Sequence, residues 1–173
     1  EDRPPRAREP AFILEQKYAG ETTASKLARI REYMRNCGAN VHVLTTIDDI
    51  CWTLNIRGND IEFFPLVLSY AIITMDRMHL YIDETKLSDE MKEVLAADDV
   101  VLHPYNDIYE DIKAYGEGDC LLLDPVRVNY AMYSNISDKV RKVEERNPEI
   151  LFKAVKNPVE IENMRKAQIK DSV

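Results

Sequence analysis

Residues 41–82 read VHVLTTIDDICWTLNIRGNDIEFFPLVLSYAIITMDRMHLYI, and the order of features in this run decides the fold. Val41–Thr45 is a short β-rich stretch. Asp48 and Asp49 then fall in the first turn of a helix carrying Ile50, Trp52 and Leu54, where carboxylates meet the positive end of the helix dipole. Residues 55–65 have no regular period: Gly58 and Asn59 mark a turn, and Pro65 stops any local helix. Two apolar runs follow, Leu66–Met75 and Met78–Ile82, and Asp76-Arg77 between them predicts a hairpin with a two-residue loop. Continuous apolar strands alternating with helices predict an α/β layer structure. The hairpin makes its sheet mixed.

Working outward, Thr22 or Thr23 caps a helix whose Ala24, Leu27, Ile30, Met34 and Cys37 share a face, and Gly38 supplies the left-handed stop. On the other side, Leu87–Ala96 reads as a helix capped by Ser88 with Met91, Val94 and Leu95 inward. Val100–Leu102 and Leu121–Leu123 are strands, Asp107–Ala114 is a helix, and Asp124-Pro125 opens a helical turn through Tyr130 and Tyr133. A weaker strand runs over Lys139–Glu144. Asn157, Pro158 and Glu160 spell an N-cap, a first-turn proline and a capping box, starting a helix whose partly apolar face holds Ile161, Met164 and Gln168. The opening EDRPPRAREP holds three of the eight prolines and reads as a linker. A chain entering through a linker and stopping within a helix is expected to be a piece of something longer.

Lys and Arg total 23 against 31 Asp and Glu, a formal charge of −8, which argues against a general nucleic-acid or anionic-membrane binder. No apolar run approaches the roughly 20 residues that cross a bilayer. Cys37, Cys51 and Cys120 lack metal-site spacing and read as small buried side chains in a reducing compartment, so a cytoplasmic setting is expected.

Chemistry-bearing residues are sparse. His42, His79 and His103 lie on separate strands without ligand spacing and read as ordinary strand histidines, although neighbouring strands could bring them together. Asp48-Asp49 reads as helix-start charge and Asp98-Asp99 as a turn, each in preference to a cation site. Ser69 sits in an apolar strand, Cys51 has no predicted histidine partner, and the five glycines form no phosphate-cradling loop. The loop holding Arg57 and Asp60, flanked by Trp52, Phe63 and Phe64, is the one segment with binding character. Its plainer reading is an Arg57–Asp60 pair that pins the loop.

Residues 48–70, DDICWTLNIRGNDIEFFPLVLSY, with KYAGE at 17–21, LLLDPVRVNY at 121–130 and KAVKNPVEIENMRKA at 153–167, resemble the three-domain Xaa-Pro aminopeptidases of the creatinase/aminopeptidase P superfamily. The resemblance runs through nearly the whole chain. It implies a creatinase/prolidase N-terminal-type fold, a mixed and roughly six-stranded sheet with helices on both faces. It also implies a linker at 1–16, the middle domain at 17–156, and from 157 the lead into a catalytic domain. In that family the catalytic domain carries two divalent metal ions, usually manganese, on two Asp, one His and two Glu, and releases a residue preceding proline. No such ligand motif occurs here, so no catalytic or metal residue carries over. The implied partners are the catalytic domain, peptides with proline second, and a second subunit in a homodimer. Arg57, Asp60 and Trp52 are the implied substrate-cleft residues, with the Arg57 fork suited to a peptide carboxylate. Positions 64–65 read Phe-Pro where relatives carry Asn-Pro, which removes a polar contact. A catalytically inert peptide- or protein-binding module is the alternative reading, and an independent histidine-based hydrolase a third.

Overall fold

The structure is a computed structural model that describes residues 5–172. In chain order its elements are β1 (Phe12–Ile13), α1 (Gln16–Ala19), α2 (Thr23–Asn36), β2 (Val41–Leu44), α3 (Ile47–Leu54), β3 (Ile56–Arg57), β4 (Ser69–Thr74), β5 (Met78–Ile82), α4 (Asp89–Ala97), β6 (Val100–Pro104), α5 (Ile108–Asp111), β7 (Cys120–Leu123), α6 (Tyr130–Asn135), β8 (Arg141–Glu144), α7 (Pro148–Ala154) and α8 (Pro158–Asp171). Six strands make one mixed sheet in the order β6-β5-β4-β2-β7-β8, and β1 pairs with β3 in a separate two-stranded ribbon. Within the large sheet β2, β7 and β8 are mutually parallel, as are β5 and β6, while β4 runs antiparallel to both β2 and β5. All strands but β4 therefore end on the same rim.

Side-chain alternation builds two cores. Leu44, Ala71, Ile73, Met78, Leu80, Ile82 and Leu122 face α2, α3 and α4. Val41, Val43, Ile72, Tyr81, Leu121 and Leu123 face α5 and α6. The expected mixed six-stranded sheet with helices on both faces is what forms.

Local differences from the sequence expectations have physical causes. Thr22 caps α2 by accepting from the Ser25 N–H at 3.2 Å. The buried face of that helix is Thr23, Lys26, Leu27, Ile30 and Met34, while Ala24 faces solvent. Lys26 turns inward because carbonyl acceptors at the end of α3 await its ammonium. Val94 of α4 is 42% exposed, leaving Met91 and Leu95 to dock that helix. The β4–β5 turn lies one residue earlier than expected, over Met75-Asp76: the Thr74 N–H donates to the Arg77 carbonyl at 2.8 Å, and the Thr74 hydroxyl accepts from the Arg77 N–H at 3.1 Å. Leu66–Leu68 does not join β4, because its backbone is bonded to the preceding loop.

Two regions exceed the sequence reading. Residues 11–14 are tied into the body: β1 pairs with β3, and the Ala11 N–H donates to the Lys86 carbonyl at 2.9 Å. Helix α7 follows Asn147-Pro148 and buries Pro148 and Glu149 in place of an apolar stripe. At α8 the capping box forms as expected between Asn157 and Glu160. The Asn157 amide also donates to the Ala19 carbonyl at 2.8 Å, and Asn163 reaches the Lys17 carbonyl at 3.0 Å. These bonds clamp α8 to α1.

Candidate functional site

The loop that follows α3 sits at the rim where the strands end. Arg57 and Asp60 do not pair with each other; each anchors the loop to a different part of the body. Arg57 Nη1 donates to the Cys51 and Ile56 carbonyls, both at 2.8 Å, closing the C-terminal end of α3. The Asp60 carboxylate is fully buried, meets Lys86 Nζ at 2.5 Å, and accepts from the Leu68 N–H at 2.7 Å. Gly58 is required between them, because a Cβ there would lie 2.7 Å from Val67 Cγ2. The pinned loop holds Phe63 and Phe64 outward, 91% and 61% exposed, with Phe63 in the left-handed region at φ 66°. Backbone strain and an exposed aromatic thus coincide at the tip.

Trp52 is buried beneath two cations. Lys26 Nζ lies 4.4 Å from its ring centroid and the Arg29 guanidinium 5.6 Å. Lys26 also donates to the Trp52 carbonyl at 2.7 Å and to Asn55 Oδ1 at 2.6 Å. Burial pulls this ammonium down to about 8. Of the three cleft candidates, Arg57 and Asp60 support the loop, and Trp52 lies under the cations of α2.

Beside this loop, at the ends of β5 and β6, lies an open groove of about 890 Å³. Tyr70, Tyr105 and Tyr109 form its aromatic wall, Lys86 joins it to the loop, and Arg6 and Arg8 lie along it. Arg6 stacks 4.3 Å from the Tyr105 ring and donates to Asn106 Oδ1 at 3.1 Å. Grooves at strand carboxyl ends are the usual binding places of open α/β sheets.

The histidines separate into two environments. His42 is wholly buried; Nδ1 donates to the Leu122 carbonyl at 3.0 Å, and Nε2 meets Glu149 Oε2 at 3.2 Å. Burial alone would lower its pKa, but the charge and hydrogen bond of Glu149 override that, and the net shift is upward. His79 and His103 do converge, with His79 Nδ1 2.9 Å from His103 Nε2. The carboxylates of Asp48 and Asp49 are occupied by Lys153, 2.5 Å from Asp49 Oδ1, and Asn147 donates to Asp49 Oδ2 at 3.1 Å. Asp99 adopts φ 58° in the turn after α4. The three cysteines are free thiols, Cys51 and Cys120 buried. Among the described residues no group of three or more His, Cys, Asp or Glu side chains could hold a metal ion.

Lys86, Lys26, Glu149 and Lys153 escape sequence reasoning. Each is a charged residue in an ordinary polar stretch, and only the sheet topology brings it to its partner.

This architecture and rim define a domain class: the chain belongs to the Creatinase/Prolidase N-terminal domain family, whose model matches residues 2–160. More particularly, it is 37% identical over 180 residues to the probable Xaa-Pro aminopeptidase P of Neurospora crassa, covering 99% of this chain and 26% of that protein. Xaa-Pro aminopeptidase 1 of Dictyostelium discoideum is 37% identical over 165 residues, covering 94% of this chain and 26% of its own. The crystal structure of X-prolyl aminopeptidase from Caenorhabditis elegans, a cytosolic enzyme with a di-nuclear active site, matches with a TM-score of 0.92 at 33% identity over 99% of this chain and 29% of that one. Xaa-Pro dipeptidase from Bacillus anthracis shares the fold at a TM-score of 0.62 and 17% identity. The chain spans only about a quarter of the length of the two sequence relatives it matches.

Proposed function

We propose that this chain is the non-catalytic middle domain of a cytosolic Xaa-Pro aminopeptidase, shaping substrate access beside a catalytic domain that carries two divalent metal ions. Residues 1–16 lead in from a first domain and join the body through the β1–β3 ribbon, 17–156 form the rest of the body, and 157–173 lead toward the catalytic domain. Manganese is the proposed metal, peptides with proline second are the substrates, and the working enzyme is a homodimer. The observation that carries this reading is the match along 99% of the chain to 29% of the C. elegans enzyme at a TM-score of 0.92. The pinned loop supplies the mechanism. Arg57 and Asp60 hold its base, and the Phe63-Phe64 tip forms a rigid wall of the cleft. A wall of this kind selects by length and shape, because a preorganised surface excludes what does not fit without itself reorganising.

The test uses the enzyme that carries this domain together with its catalytic domain. Replacing Phe63 and Phe64 by Ser is expected to change kcat/KM severalfold for longer Xaa-Pro peptides and to leave Xaa-Pro dipeptides unaffected. Equal kinetic constants at every peptide length would remove the wall role. Turnover of an Xaa-Pro peptide by the isolated chain with manganese, free of contaminants, would remove the non-catalytic reading.

A further inference from the structure

We propose that His79 and His103 form a site for one divalent transition-metal ion of the zinc, copper and nickel class, at the β5–β6 edge of the sheet. In the parallel register His79 lies opposite Val101 and Tyr81 opposite His103. Alternation puts both imidazoles on the face that carries Tyr81, where they meet on the diagonal. Their facing nitrogens, His79 Nδ1 and His103 Nε2, are 2.9 Å apart. Two imidazole nitrogens at about 2.0–2.1 Å from a tetrahedral zinc ion lie about 3.3–3.4 Å from each other. The pair must open by about half an ångström, and both rings must turn so that their lone pairs point to one ion beside the line that now joins them.

The surroundings of His103 resemble those of a metal ligand. Its Nδ1 faces Asp111 Oδ2 at 3.8 Å, and that same oxygen accepts from the Tyr81 hydroxyl at 3.0 Å. The Tyr81 ring stacks on the imidazole, 4.9 Å between centroids at 23°. At 3.8 Å this carboxylate is beyond hydrogen-bonding distance, but its charge favours the proton on Nδ1 and so a lone pair on Nε2, the tautomer that ligation needs. In that tautomer, and without metal, His79 Nδ1 donates to His103 Nε2. With metal, the ion takes that place and His79 carries its single proton on Nε2. The His103 side chain is 25% exposed, which gives an ion access from solvent. Water completes the coordination, and a site with two protein ligands binds with micromolar rather than nanomolar affinity.

The test is calorimetric titration of the purified chain with zinc chloride at pH 7.5, with Cys37 replaced by Ser to remove the half-exposed thiol, and with magnesium chloride as control. The expected result is saturable zinc binding at one site, no magnesium binding, and at least tenfold weaker zinc binding in both His79→Gln and His103→Phe. The second variant preserves the stack on Tyr81. Imidazole nitrogen NMR is read on the same unmutated histidines, so the outcome does not depend on either variant folding. Zinc should shift His79 Nδ1 and His103 Nε2 and leave His42 unmoved. Absence of zinc binding, equal binding by the variants, or shifts at other nitrogens would overturn the assignment.

Discussion

Exchanging Glu149 for Gln isolates the energetics of the buried pair that docks α7. Glu149 and His42 are both fully buried, 3.2 Å apart, and Glu149 Oε1 has no partner. Glu149→Gln fits the same space: where His42 is protonated the amide oxygen accepts from Nε2–H and the NH2 group takes the position of the unpartnered Oε1, and where His42 is neutral the amide donates to Nε2. Below the folded His42 pKa the change thus removes charge from one hydrogen bond and adds the cost of an unpartnered amide NH2. Bonds to charged groups contribute about 1.5–3 kcal/mol and neutral ones about 0.5–1.5, so the expected loss is at least about 1–1.5 kcal/mol where His42 is protonated. The His42 pKa is raised in the folded state, so its contribution is full below the unfolded value of about 6.5 and is lost as pH rises through the folded value. Above that value a neutral His42 turns a lone pair toward a carboxylate, and the substituted amide becomes the better partner. Urea unfolding followed by circular dichroism in a pH series upward from pH 6 measures both effects. With a slope near 2 kcal/mol/M, the midpoint should fall by at least about 0.6 M at pH 6, and the deficit should shrink or reverse as pH rises through the folded His42 value. Glu149→Ala should lose about 3–5 kcal/mol, because an uncompensated buried group and a cavity remain. A Glu149→Gln deficit that stays constant over the whole pH series in which the native protein remains folded would refute the ion-pair assignment.

Three further substitutions probe the framework. Lys86→Ala strands the buried Asp60 carboxylate and should cost about 3–5 kcal/mol in urea unfolding, with Lys86→Ala/Asp60→Ala less damaging than the sum of its parts. Gly20→Ala places a Cβ 2.3 Å from Asn157 Oδ1 at φ +72°; left-handed strain plus a disturbed cap should lower stability by about 2 kcal/mol, seen as a fall in Tm of about 4–8 °C. Lys26 is depressed to about 8 in the folded state, so the unfolded chain binds the extra proton between pH 8 and about 10.4 and stability rises across that window by about 2–3 kcal/mol. Lys26→Met should abolish that rise, and an unchanged pH profile would show the ammonium to be better solvated than its surroundings indicate.

The fold is legible in the sequence where apolar pattern and punctuation agree. Leu121–Leu123, Met78–Ile82 and the Asn157-Pro158 start of α8 each carry a run, a period or a cap that tertiary contacts reinforce. Helix α7 is illegible for the opposite reason. Its docking face is Pro148, Glu149, Phe152 and Lys153, and no hydrophobic period marks a helix held as much by ions as by one aromatic ring. The loop was readable as a special segment from Gly58, Arg57 and Asp60, but not its wiring. Proximity in sequence suggests an Arg57–Asp60 pair, whereas the partner of Asp60 is Lys86, 26 residues away, and Arg57 finds nearby carbonyls. The His79–His103 contact belongs to the same class, since it exists only once the β5–β6 register is known.

The clamp between α1 and α8 also has a mechanical consequence. A pull that separates the two ends of the chain first loads the Asn157–Ala19 and Asn163–Lys17 bonds and the short β1–β3 ribbon. The strands of the large sheet lie behind that joint and carry no tension until it yields. Under force the molecule should lengthen first by a short, low-load step confined to its two terminal segments, before the sheet ruptures.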